Sequence, residues 1–256
     1  MSEQPGVVAA PPSPPPPDKQ NVFSRIAGVL FAPAETFLAI ARRPDVIGPL
    51  LVIVLVGYAC TIVSMPKMDY SGILAQQAEQ MQKQGRTMPE EQRAQIEKFT
   101  IAFAKGAGWI APVLGVAWYA LIAGVFLLAF RLMGGEGTYK QAFSITLYAW
   151  MPLLLFGIIT AIVIAARGTF DPLTAATLVK SNPAFLVDMK EQPVLYSLLS
   201  SFDVFTIWTI ALFAIGFAAM SRVSKTKAAV IVVSLWFVQI AIKVGFAAIG
   251  AARMKG

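Results

Sequence analysis

The chain has 256 residues, of which 57% are apolar and only 14% charged, and its formal net charge is +7. Soluble domains carry about 25% charged residues, so this composition cannot dress a water-exposed surface and points to a membrane protein. The chain has no His, and Cys60 is its single Cys; this excludes His-dependent triads, Cys/His metal sites and intrachain disulfides, and no cofactor is expected.

Residues 1–20 hold seven of the 17 prolines, including Pro14 to Pro17 in a row. This composition predicts a disordered or polyproline II tail, with a ligand for a proline-binding domain as the functional alternative. Residues 21–43 read as an amphipathic helix interrupted near Pro33. Val22, Phe23, Ile26, Leu30, Phe37 and Ile40 supply its apolar stripe, and Arg25, Arg42 and Arg43 its charge. Two readings stand for it: an interfacial helix whose arginines contact anionic lipid headgroups, or a helix packed on the bundle.

The first predicted span is residues 47–65, uncharged and long enough for a hydrocarbon core of about 30 Å. Residues 66–107 form a polar helical insert. Thr87, Pro89 and Glu90 have the spacing of a helix start, and Ile96, Phe99 and Phe103 share a face of a helix that runs on into the second span. The mixed charges of Glu90, Glu91, Arg93, Glu97 and Lys98 read as a solvated face. The second span, 108–133, carries Ala111/Gly115 and Ala120/Gly124, small pairs suited to close helix packing. Gly134 to Gly137 form a tight turn without the Lys-Ser/Thr of a phosphate loop.

The third span, 141–166, contains Pro152, which predicts a kink or local break. Prolines at 172, 183 and 193 divide the next segment into short pieces. The fourth and fifth spans are 202–220 and 228–252, joined by the basic turn 221–227. The Arg pair before the first span and this turn place the N-terminus in the cytoplasm and the C-terminus outside. The positive charge then belongs to span edges, and no nucleic acid partner is expected.

Two charges lie inside predicted spans. Lys243 sits well within the fifth, where an uncompensated Lys costs about 2.5–3.5 kcal/mol. Asp203 begins the fourth and would share its half of the bilayer, so the two form a candidate buried pair, direct or bridged by Gln239 or water. The pair reads either as a packing contact that sets helix register or as a proton or substrate site.

Three blocks carry a resemblance. Pro44-Asp45-Val46-Ile47-Gly48-Pro49 enters the first span. Tyr148 and Pro152 follow the glycine turn in the third span. Asp203-Val204-Phe205-Thr206-Ile207-Trp208 opens the fourth and is followed by Lys225-Thr226-Lys227-Ala228. Together they resemble the Yip family of five-span membrane proteins, in its prokaryotic form. The family motif falls on Asp45, Gly48, Pro49, Tyr148, Pro152 and Asp203. The resemblance implies an all-α bundle of five transmembrane helices, a cytoplasmic N-terminus and no catalytic residues. In eukaryotic relatives it also implies work in membrane trafficking through partner proteins.

The expectation is therefore a non-enzymatic multi-pass protein of a bacterial inner membrane that organises the bilayer, recruits a membrane or soluble protein, or self-associates. A small transporter or channel using the polar residues of the last two spans is the alternative.

Overall fold

The computed structural model describes residues 21–83, 85, 89–189 and 191–255. The proline-rich tail 1–20 and the Thr87 cap lie outside these residues. The described chain is helical: α1 Val22–Phe31, α2 Pro33–Arg42, α3 Ile47–Ser64, α4 Ser71–Lys83, α5 Glu90–Leu132, α6 Tyr139–Ala149, α7 Met151–Arg167, α8 Pro193–Leu199, α9 Val204–Ser221 and α10 Lys225–Lys255. Short 3₁₀ turns at Met65–Lys67, Pro172–Thr177 and Pro183–Leu186 link some of them.

Five segments are long and apolar enough to cross a membrane: Ile47–Lys67, Glu90–Leu132, Tyr139–Arg167, Val204–Ser221 and Lys225–Ala252. The protein is therefore an all-helical, multi-pass membrane protein in contact with the bilayer. Its spans alternate in direction. The α1–α2 hairpin and the turns 133–138 and 222–224 lie at one end, called proximal here. The insert, α8 and the end of α10 lie at the other, the distal end.

Local chemistry explains the element ends. Asn21 caps α1 by accepting the Ser24 N–H at 2.8 Å. Thr138 and Gln141 form a reciprocal capping box at the start of α6. The helix of the insert begins at Glu90, with Pro89 as its N-cap residue, and runs unbroken into the second span as expected. The third span breaks at Trp150, so that Pro152 falls in the first turn of α7, where its missing N–H leaves no helical bond unmade.

In lipid, helices gain little from hydrophobic burial against each other, so shape and polar contacts hold the bundle together. The α1–α2 hairpin is part of that packing. Val29, Phe37 and Ile40 are fully buried, with α2 lying on α6 and α9. Rings from α5, α9 and the α6–α7 junction stack in a ladder. Tyr119 and Trp150 are 5.0 Å apart, Trp150 and Phe213 5.6 Å, and Phe126 and Phe213 4.7 Å, while Phe130 closes on Phe217 at 5.0 Å.

The small pairs of the second span divide in function. Ala120/Gly124 receives the Tyr139 ring, whose hydroxyl donates to the Ala120 carbonyl at 2.9 Å. Ala111/Gly115 is not at a helix crossing, because a side chain at Gly115 would meet only Tyr119 of its own helix. The close approach of α3 to α5 uses Gly57 against Pro112 instead. The glycine turn is wired rather than slack. Gly134 and Gly137 have φ of 81° and 132°, and the Glu136 N–H donates to the Ser221 carbonyl at 3.1 Å.

Candidate functional site

The connector from α2 to α3 must bury its backbone at the proximal end without regular structure. Non-helical backbone near membrane depth is tolerated only where protein groups satisfy it. Residues of α6 do this from a single face. Gln141, Ser144 and Tyr148 recur at i, i+3 and i+7. Gln141 Nε2 donates to the Ala41 carbonyl at 2.7 Å, and Ser144 Oγ to the Asp45 carbonyl at 2.7 Å. The Tyr148 hydroxyl donates to Asp45 Oδ2 at 3.3 Å.

Asp45 Oδ1 accepts the Gly48 N–H at 3.2 Å, which starts α3. Gly48 is required there: a Cβ would lie 2.5 Å from Asp45 Oδ2 and 3.0 Å from Val22. Pro49 is buried behind it.

Arg25 completes this polar knot. Its Nη1 donates to the Arg43 carbonyl at 3.0 Å, and its guanidinium faces the Tyr148 hydroxyl together with the Asp45 carboxylate. Arg25 is only 7% exposed, and its Nε has no hydrogen-bond partner. The expected lipid contact at Arg25 is thus overturned. About half a turn of helix rotation separates an interfacial arginine from a buried one, and here α1 turns it inward, where its Nη1 meets the Arg43 carbonyl. Arg42 and Arg43 keep exposed side chains.

Asp203 and Lys243 do not form an ion pair; Asp203 is held by the first turn of its own helix and by Ser181, and Lys243 by serines of the adjacent α8. Asp203 is buried and caps α9, accepting the N–H groups of Phe205 at 2.8 Å and Thr206 at 3.2 Å. Its second oxygen accepts from Ser181 Oγ. Lys243 Nζ donates to Ser200 Oγ at 2.8 Å and Ser201 Oγ at 3.2 Å, at the C-terminal end of α8. The physical reason is local: an N-terminal helix turn offers Asp203 two N–H groups that a flexible Lys cannot match in direction. Lys243 instead ties α8 to α10.

The sequence places Asp45 and Gly48 in one motif block and Tyr148 in another, and it assigns no role to Gln141 or Ser144. Their signal was present, because with Tyr148 they mark one helix face in an otherwise apolar segment. Among the described residues no group of three or more His, Cys, Asp or Glu side chains could hold a metal ion.

Asp45, Gly48, Pro49 and Tyr148 converge on one structural feature, and residues 27–246 match the model of the Yip1 domain. The chain belongs to the Yip1-domain family. It is also 27% identical, over 198 residues, to membrane protein YknW of Bacillus subtilis (strain 168); the match covers 77% of this chain and 79% of that protein. No solved structure matches. The Yip1 match starts within α1, just after Arg25, and ends within α10, so it takes in Asp45, Tyr148, the first four spans and most of the fifth.

Proposed function

We propose that this Yip1-domain protein is a non-enzymatic organiser of a bacterial inner membrane. Its proximal face, on the cytoplasmic side, engages anionic lipid and recruits a protein partner, which can be a second copy. The observation that carries this reading is the α1–α2 hairpin. The knot of Arg25, Asp45 and Tyr148 fixes it to the bundle, while Phe23, Phe31 and Leu38 remain exposed at 70%, 84% and 46%. A rigid platform with outward aromatic residues and the exposed Arg42 and Arg43 suits headgroup contact and docking alike. Arg131, Lys140, Arg222, Lys225 and Lys227 add positive charge at the same end, which favours its cytoplasmic placement.

Placing a photo-crosslinking residue at Phe31 in native membranes tests the reading. A discrete protein adduct, lost when Arg42 and Arg43 are changed to Gln, supports it. Adducts with lipid alone overturn the recruitment half. Selective solute flux in reconstituted vesicles, abolished by Lys243→Met, would replace the whole reading with transport.

A further inference from the structure

The distal end holds an open cleft of about 580 Å³, lined by Ile62, Met65, Pro66, Met68, Tyr70, Ile101, Lys105 and Trp109. That volume falls within the range of about 300–1,000 Å³ typical of ligand pockets. Its walls come from two levels. Ile62, Met65 and Trp109 belong to membrane-spanning segments, whereas Met68 and Tyr70 lie beyond the span end at Lys67. Lys105 lies one helical turn from Trp109, toward the insert. The cleft therefore straddles the boundary between hydrocarbon and headgroups, with an aromatic wall where interfacial aromatics normally sit.

Its charge is specific. Lys67, at the same level, donates to the Ile164 carbonyl at 3.4 Å and the Ala165 carbonyl at 2.6 Å, closing the end of α7. Lys105 makes no ion pair among the described residues. The apolar floor is shaped by Gly108, since a Cβ there would stand 2.5 Å from the Met65 terminal methyl. Tyr58 backs the Trp109 ring at 6.4 Å.

We propose that this cleft is a binding site for one anionic phospholipid. An acyl chain lies along Ile62, Met65 and Trp109, and the headgroup phosphate meets the Lys105 ammonium. A water-soluble phosphate would use the lysine and leave the apolar wall uncovered; a lipid uses both, and at the depth where each part belongs. The site is separate from the proximal face and does not depend on the function proposed for it.

The test uses the full chain in detergent, offered equal amounts of phosphatidylglycerol and phosphatidylcholine with identical acyl chains, with bound lipid counted by native mass spectrometry. The wild type retains phosphatidylglycerol preferentially. Lys105→Gln lowers that preference about five-fold, the effect of one basic residue at a membrane surface, and Lys105→Arg keeps it. Ile101→Trp fills the cleft and reduces retention of both lipids. The loss caused by Lys105→Gln is the same in an Arg42→Gln, Arg43→Gln background, which separates this site from the proximal face. Equal retention of both lipids by the wild type, or an unchanged preference in Lys105→Gln, overturns the proposal. Displacement by glycerol phosphate alone would assign the lysine to a soluble ligand and also overturn it. A second measurement compares the wild type with Trp109→Phe: the quenching that is lost with Trp109 should be larger for phosphatidylglycerol brominated on its acyl chain than for the phosphatidylcholine equivalent, and equal quenching overturns the site.

Discussion

The two ends of the bundle treat charge in opposite ways. At the proximal end, Arg25, Asp45 and Tyr148 come from three stretches far apart in sequence and meet over one irregular connector. At the distal end, Asp203 serves its own helix and Lys243 reaches the neighbouring α8. The difference is one of cooperativity. Removing a member of the proximal knot strands groups on other elements, because buried polar atoms that lose a partner recover no water. Removing a distal charge frees the first turn of α9 with its tie to Ser181, or the contact of α10 with α8.

The comparison breaks most easily at Arg25. Arg25→Met takes the donor from the Arg43 carbonyl and the guanidinium from beside the Tyr148 hydroxyl. Leaving a buried acceptor without its charged donor costs up to about 3 kcal/mol. Denaturant titration of the full chain in micelles should show this loss. Arg42→Gln and Arg43→Gln, on exposed side chains, should each change stability by less than about 0.5 kcal/mol. Equal effects at Arg25 and Arg42 would mean that the knot does not hold the hairpin.

Next in size come Tyr148→Phe and Gly48→Ala. The first removes the hydroxyl that Asp45 Oδ2 accepts from; hydrogen bonds to charged groups contribute about 1.5–3 kcal/mol. The second forces a methyl against Asp45 and Val22, and overpacking of this kind costs about 1–3 kcal/mol. Both act on the start of α3, so the double variant should fall short of the sum, whereas independent sites add within about 0.5 kcal/mol. Strict additivity would dissolve the knot into separate contacts.

Why the sequence revealed the spans and not the knot follows from these same residues. A run such as Ile47 to Ser64 is apolar whatever it packs against, so the need to cross lipid is written in composition. The break before Pro152 and the continuous helix into the second span were equally visible, because proline and helical periodicity act locally. The inward turn of Arg25 was not visible. Its direction is set by the Arg43 carbonyl 18 residues away and by a face of α6 more than a hundred residues away. Asp203 and Lys243 misled for the converse reason. Antiparallel spans do bring them to the same depth, but each has a competing partner nearby: the first turn of α9 for one, and Ser200 and Ser201 for the other.

The distal end should accordingly show additivity. Asp203→Ala loses an N-cap, at about 1 kcal/mol. Lys243→Met loses its two serine contacts, and a typical hydrogen bond contributes about 1 kcal/mol net. The double variant should equal the sum within about 0.5 kcal/mol. A coupling well above that in a double-mutant cycle would restore the direct or bridged pair and erase the contrast between the ends.

The smallest effect is a pH response in the insert. Asp69 Oδ1 accepts the Ser71 N–H at 2.9 Å at the start of α4, and this bond holds its carboxyl below the ordinary value. Because the folded value is the lower one, the capping contribution is complete above the ordinary carboxylate range. It fades as pH falls through that range and is lost once pH drops below the lowered folded value. Asp69 is fully exposed, so the change should stay confined to the first turn of α4. Amide exchange at Leu74, whose N–H donates to the Tyr70 carbonyl at 3.0 Å, reports on that turn. Its protection should decline with acid in the wild type and be low and flat in Asp69→Ala. The Leu50 amide, bonded to the Val46 carbonyl beside the knot, should show no matching change between those two proteins. A parallel response at Leu50 would mean that the distal end is coupled through the bundle to the proximal one, and that its charges are not the local devices their contacts describe.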